Sequence, residues 1–117
     1  MIRRQSPYGT IYLLKDDSVQ VKETAVQQEM LGAAAQVYAA TKQPLVVTSG
    51  NDGRHMRGSK HYEDKALDFR VWGLEDHEAV ASELQALLGD DYDVIAEWRA
   101  EGDGEVPSHI HVEHDPA

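Results

Sequence analysis

The stretch that decides the fold is Gly58-Ser59-Lys60-His61-Tyr62-Glu63-Asp64-Lys65-Ala66-Leu67-Asp68-Phe69-Arg70. It ends in the run Ala66-Leu67-Asp68-Phe69, whose apolar character predicts a buried strand. An ionised Asp68 in such a strand needs a cationic partner, because burial of an unpaired charge is strongly unfavourable. A divalent metal ion bound by both Asp68 and His61 would meet this need. The stretch therefore predicts a core strand that carries a metal ligand.

A second stretch, Ser108-His109-Ile110-His111-Val112-Glu113, alternates polar and apolar residues as a half-buried strand does. Side chains two positions apart in a strand face the same way, so His109 and His111 project together. A single histidine usually has a surface or core role, but two strands that both carry phased ligands favour a zinc site. The chain contains no cysteine, so any metal must be held by nitrogen and oxygen ligands.

The order His-x6-Asp followed by His-x-His, with Tyr92-Asp93-Val94 and Glu97 between, resembles a known zinc fold. That fold is shared by D-Ala-D-Ala carboxypeptidases, murein endopeptidases, phage endolysins and the hedgehog signalling domain. The similarity covers roughly Leu45 to Glu113, and the motif residues are most similar to those of the hedgehog-like branch.

The resemblance implies a role for each matching residue. The implied zinc ligands are His61, Asp68 and His111. Glu97 matches the general base of the family, His109 its second, non-ligating histidine, and Ser59 a serine that peptidase members use near the substrate.

The residues themselves leave alternatives open. Arg54 and Arg57, in a glycine-rich loop before His61, are each either ligands for a substrate carboxylate or exposed solubilising residues. Glu97 is either the base or a surface residue beside Trp98. Glu113 either orients His111 through a hydrogen bond or belongs to an exposed tail.

Around these motifs the pattern predicts a single domain, residues 1–117, of the α+β class. Helices are expected from Lys22 to Lys42, with a Thr24–Gln27 capping box, and from Leu74 or Glu75 to Leu88. The segments Ile11–Leu14 and Val19–Val21 are predicted to form a hairpin. Strands are expected at Leu45–Thr48 and Tyr92–Trp98, with a loop from Ala100 to Pro107. His77 is expected to be exposed. The predicted architecture is a mostly antiparallel sheet with both helices on one face and a zinc site on the other.

Composition narrows the function. The chain has 11 basic and 21 acidic residues and a net charge of −10, which argues against a nucleic-acid partner. No apolar run is long enough to predict a membrane span, and the N-terminal residues do not resemble a signal peptide. We expect a monomer that is cytoplasmic as synthesised, and either associated with a phage or released to the cell wall.

The resemblance implies a Zn²⁺-dependent peptidase that hydrolyses a bond in the peptidoglycan stem peptide. Two other hypotheses remain at this point. One is a zinc-stabilised binding module that keeps the site without catalysis, and the other is a component of a phage particle. The sequence leaves the cleaved bond open between endopeptidase and carboxypeptidase chemistry.

Overall fold

The computed structural model describes residues 1–51 and 63–116, and within them it contains two helices and a six-stranded sheet. The elements in chain order are β1 (Ile2–Gln5), β2 (Ile11–Leu14), α1 (Ala25–Thr41), β3 (Val46–Ser49), β4 (Ala66–Arg70), α2 (His77–Leu88), β5 (Tyr92–Glu101) and β6 (Gly104–His114). The strand order is β1-β2-β3-β4-β6-β5. The β2–β3 pair is parallel, and the other neighbouring strands are antiparallel. The predicted α+β class and mostly antiparallel sheet are confirmed.

One hydrophobic core joins both helices to one face of the sheet. Leu67 and Phe69 of β4 and Ile110 and Val112 of β6 are completely buried in it. Since alternate residues of a strand face opposite ways, Asp68 and the histidines of β6 lie on the other face. The apolar half of each strand thus fixes the orientation of its polar half.

The capping box predicted for α1 is present. The hydroxyl of Thr24 accepts a hydrogen bond from the backbone N–H of Gln27, and the Gln27 side chain accepts one from the N–H of Thr24. The helix begins at Ala25, three residues later than Lys22, because Glu23 has a left-handed φ of 57° and Thr24 is extended. Loss of such a cap typically costs about 1 kcal/mol.

The predicted hairpin of Ile11–Leu14 with Val19–Val21 is wrong. Strand β2 pairs with β1 instead, across a turn in which the Ser6 N–H donates to the Thr10 carbonyl. Val19 is buried in the core but lies outside any strand. Its apolar character reflects burial in a connecting segment.

Helix α2 begins at His77, later than the predicted Leu74 or Glu75, because Asp76 is its N-cap. The Asp76 carboxylate accepts hydrogen bonds from the N–H groups of Glu78 and Ala79. His77 was expected to be exposed, and this is wrong, since only 2% of it is accessible. Its ring packs against Trp98 of β5 in an edge-to-face contact.

The segment from Ala100 to Pro107 is a β-hairpin and not the predicted loop. Strands β5 and β6 continue to Glu101 and from Gly104, with a tight turn at Gly102, whose φ is 59°. The register of the pair shifts between Glu97 and Trp98, where Trp98 faces Pro107. Proline has no N–H to give to a ladder, so an irregularity there is expected.

Candidate metal centre

Strands β4 and β6 bring two of the three predicted ligands together in the middle of the sheet. Asp68 lies directly opposite His111, and Arg70 lies opposite His109. These side chains share the face away from the helices, as the alternation of both strands requires. The register thus places Asp68 and His111, two of the three predicted ligands, side by side.

The His111 ring bridges two carboxylates. Its Nδ1 lies 2.8 Å from Oδ1 of Asp68, and its Nε2 lies 2.8 Å from Oε1 of Glu113. The side chains of Asp68 and His111 are 13% and 16% exposed, so water screens these contacts only partly. Glu113, which the sequence left as either an orienting partner or an exposed tail, is in contact with His111.

The surroundings of His111 favour its protonated form. Burial lowers its pKa, but the hydrogen bonds and negative charges of Asp68 and Glu113 outweigh burial and raise the pKa from 6.5 to about 9. In the metal-free protein at neutral pH, an imidazolium between two carboxylates therefore supplies the cation that Asp68 needs. A metal ion must compete with this proton.

The donor set also fits zinc. Ligand atoms of one tetrahedral zinc ion lie about 3.3 Å apart, given zinc–ligand distances of about 2.0–2.1 Å. The Asp68 and His111 atoms, 2.8 Å apart, need only a small separation to reach that spacing. With Nδ1 as ligand, Nε2–H remains a donor to Glu113, the carboxylate–histidine arrangement that commonly orients metal-bound histidines.

His109 and Glu97 lie opposite each other in the β5–β6 pair, and His109 precedes His111 by two residues on β6. The His109 Nε2 lies 3.8 Å from Asp68 Oδ1, beyond hydrogen-bonding distance, and its Nδ1 lies 2.9 Å from the Ser108 hydroxyl. Both Glu97 and His109 are half-buried. Glu97 lies inside β5, which continues to Glu101, beyond the predicted strand end at Trp98.

Glu97 is also held from the opposite face of the sheet. The Nε2 of the buried His77 lies 3.0 Å from the backbone carbonyl of Glu97. This contact falls where the β5–β6 register shifts, so a side chain of α2 fixes the backbone that carries the candidate base. Sequence reasoning missed His77, and only its position after the capping Asp76 distinguishes it from other polar helix residues.

The remaining predicted site residues lie outside the described residues. They are the ligand His61 and the substrate-binding candidates Ser59, Arg54 and Arg57. The two described members of the predicted ligand set are Asp68 and His111.

A cluster of three carboxylates lies beside this centre. The side-chain oxygens of Asp93, Glu113 and Asp115 come within 4.8 Å of one another. This group could hold a cation, although exposed acidic groups often cluster without one. The sequence analysis gave neither Asp93 nor Asp115 a metal-binding role, because the two residues come together only through the pairing of β5 with β6.

The face also carries an open cleft of about 590 Å³. Its walls include Asp68 and His109 of the centre, together with Lys15, Arg70 and Trp72. The last three were not predicted to have a role. The sequence did indicate where Arg70 lies, because a residue two positions after Asp68 on a strand shares its face of the sheet.

No family model, curated protein or solved structure matches this sequence. Neither helix of the described residues has the length and apolar character needed to cross a membrane.

Proposed function

We propose that this protein is a zinc-dependent peptidase that hydrolyses a peptide bond in the stem peptide of peptidoglycan. The observation that carries the proposal is the 2.8 Å approach of Asp68 to Nδ1 of a histidine whose other nitrogen already faces Glu113. The reaction class comes from the resemblance of the His-x6-Asp and His-x-His motifs to the zinc carboxypeptidases and endopeptidases.

In this proposal Asp68, His111 and His61 hold the metal. Three protein ligands would leave a position on the zinc for water, as in catalytic zinc sites. Zinc held there would lower the pKa of a bound water to about 7 and polarise the substrate carbonyl.

Glu97 serves as the general base in this scheme. It takes a proton from the attacking water and passes it to the nitrogen of the leaving amine as the C–N bond breaks. His109, across the ladder from Glu97, donates a hydrogen bond to the carbonyl oxygen as that oxygen gains negative charge. Ser59, Arg54 and Arg57 are proposed to contact the substrate.

The test is mass spectrometry of peptidoglycan fragments after incubation with zinc-loaded protein. We expect new fragments with the wild type, and at least a hundredfold fewer with Glu97→Ala, which removes the base but leaves the zinc ligands. Glu105→Ala, on the exposed hairpin, is the matched control and should keep full activity. The fragment masses identify the bond. Undiminished turnover by Glu97→Ala would remove this residue from the mechanism.

A binding module without catalysis is the second candidate. In this zinc-stabilised module, the hydrogen bonds of His111 to Asp68 and Glu113 hold the candidate ligands in place, and no catalytic group is needed. It predicts stoichiometric zinc or peptide binding and no fragments from several wall chemistries. A phage-particle setting is compatible with either candidate.

A further inference from the structure

The cleft beside the candidate metal centre carries two cations in a strongly acidic protein. Lys15 and Arg70 line it together with the carboxylates of Asp16 and Asp68, while the chain as a whole has a net charge of −10. Among residues 1–51 and 63–116, no carboxylate forms an ion pair with either side chain. The nearby Asp16 carboxylate instead accepts hydrogen bonds from the N–H and hydroxyl of Ser18. The two cations are therefore available to an anionic ligand.

Arg70 is already oriented for such a ligand. Its Cζ atom lies 4.2 Å from the centre of the Trp72 ring, so the guanidinium packs on the indole. Trp72 is 71% exposed, and this stack forms part of the cleft wall. A stacked guanidinium keeps its N–H groups free at the edge, where they match the two oxygens of a carboxylate.

Arg70 lies close enough to the candidate metal centre for one peptide to reach both. Arg70 follows Asp68 by two residues on β4 and faces His109 on β6. Two strand residues span about 7 Å, which is also the reach of about two residues of an extended peptide. A peptide whose carbonyl lies at the metal centre would therefore bring a carboxylate one or two residues away to Arg70.

We propose that Arg70, stacked on Trp72 and assisted by Lys15, binds a carboxylate of the peptide substrate one or two residues from the scissile bond. This inference rests on the proposed peptidase function for the identity of the ligand as a substrate. The carboxylate has two possible sources, a free C-terminus or an acidic side chain. The first source makes the enzyme a carboxypeptidase in practice, and the second allows cleavage within a longer peptide.

The test measures binding separately from turnover. The indole N–H signals of the two tryptophans are followed by NMR during titration of zinc-loaded protein, with Trp98→Phe used to assign the Trp72 signal. The probes are N-acetyl-D-alanyl-D-alanine, its C-terminal amide, and N-acetyl-D-glutamyl-D-alanine amide. Glu97→Ala is the background in which the probes stay intact.

We expect the Trp72 signal to shift and at least one carboxylate probe to bind about ten- to a hundredfold more tightly than the neutral amide. Preference for the first probe assigns the C-terminal carboxylate, and preference for the third assigns the side chain. Arg70→Ala should abolish the preference, and Arg70→Lys should keep part of it. Arg99→Ala is the matched control, because Arg99 is exposed, pairs with Glu101 and does not line the cleft.

Equal binding of all three probes, or a preference that survives in Arg70→Ala, would overturn the inference. The proposed function is judged separately by the release of D-alanine or of wall fragments by the wild type. Hydrolysis without a carboxylate preference removes the Arg70 subsite and keeps the peptidase. A preference lost in Arg70→Ala, without any hydrolysis, removes the peptidase and keeps a carboxylate-binding cleft.

Discussion

At the scale of single residues, the centre depends on the two contacts of His111. Asp68 and Glu113 approach different nitrogens of the same ring, each at 2.8 Å. One contact faces the proposed metal and the other orients the ring from behind. Both carboxylates raise the pKa of His111 and so affect the pH dependence of metal binding. Glu113 also affects metal affinity, because it orients the ring without being a proposed ligand.

Zinc affinity should depend on pH through His111. Its pKa is raised from 6.5 to about 9, so the imidazolium stabilises the metal-free fold below pH 6.5, and this stabilisation is lost as the pH rises through about 9. Zinc needs the unprotonated nitrogen, so its affinity should rise about tenfold per pH unit between pH 7 and 8.

Competition with a chromophoric chelator over this pH range measures the slope. A zinc affinity that is flat above pH 6.5 would contradict the raised pKa. Titration of the His111 ring carbons by NMR in chelator-treated protein gives an independent value.

Glu113 should strengthen zinc binding without being a ligand. Glu113→Ala removes the partner of Nε2, and loss of such a partner typically weakens metal binding about 10- to 100-fold. Isothermal titration of zinc into the wild type and the variant tests this expectation. Asp93→Ala, which alters the acidic cluster but not the contacts of His111, is the control and should bind zinc as the wild type does. A loss in Asp93→Ala comparable to that in Glu113→Ala would favour zinc bound by the cluster, to which both residues belong.

At the scale of elements, α2 and the β5–β6 hairpin position the candidate base. The buried His77 contacts the backbone carbonyl of Glu97 from the helix side, at the point where the ladder is irregular. Its ring also packs on Trp98 at a centroid distance of 4.6 Å. His77 thus joins the helix to the position in β5 where its regular pairing with β6 changes.

We expect His77→Ala to lower both stability and turnover. The variant removes the donor to the part-buried carbonyl of Glu97, and an unsatisfied buried acceptor typically costs about 1–3 kcal/mol. If His77 positions Glu97, kcat should fall while KM and zinc affinity change little, and His77→Gln, which can still donate, should restore part of kcat.

Steady-state kinetics at a temperature where each variant is fully folded separates these effects. A loss of stability in His77→Ala with an unchanged kcat would limit the residue to a structural role. Leu84→Ala, which truncates another buried residue of α2, controls for general destabilisation.

Local sequence signals predicted much of these elements but not their connections. Alternation in Ser108–Glu113 and the apolar run at Ala66–Phe69 identified two strands and the face of each ligand, because a buried neighbour fixes that face. The Thr24–Gln27 box is a local interaction and was predictable for the same reason. The pairing of β1 with β2 and the burial of His77 depend on contacts between distant segments, which propensity does not encode.

At the scale of the whole molecule, the two faces of the sheet have different roles. The helices bury one face of the sheet in a single core, and the other face carries the candidate centre and the cleft with Lys15 and Arg70. The sequence predicted this division, since it follows from strand alternation. The sequence did not predict the cleft. Lys15, which follows β2, lines the same cleft as Arg70 of β4 only because β2 pairs in parallel with β3.

Zinc should stabilise the fold by mass action. At a free zinc concentration 100 times Kd, binding to the native state alone contributes about 2.7 kcal/mol, which for a domain of this size raises Tm by roughly 10 °C. Differential scanning fluorimetry with and without zinc measures the shift. His111→Ala and Asp68→Ala should each lose most of it, whereas Arg99→Ala should keep it. A shift retained in both ligand variants would require another site.

X-ray absorption at the zinc edge would show directly whether Asp68 and His111 bind zinc, as we propose. We expect one zinc per chain, with nitrogen and oxygen ligands at about 2.0–2.1 Å and the multiple-scattering signature of two imidazoles. His111→Ala should remove one imidazole from that signature. An all-oxygen shell, as the cluster of Asp93, Glu113 and Asp115 would give, or no bound zinc, would contradict the claim.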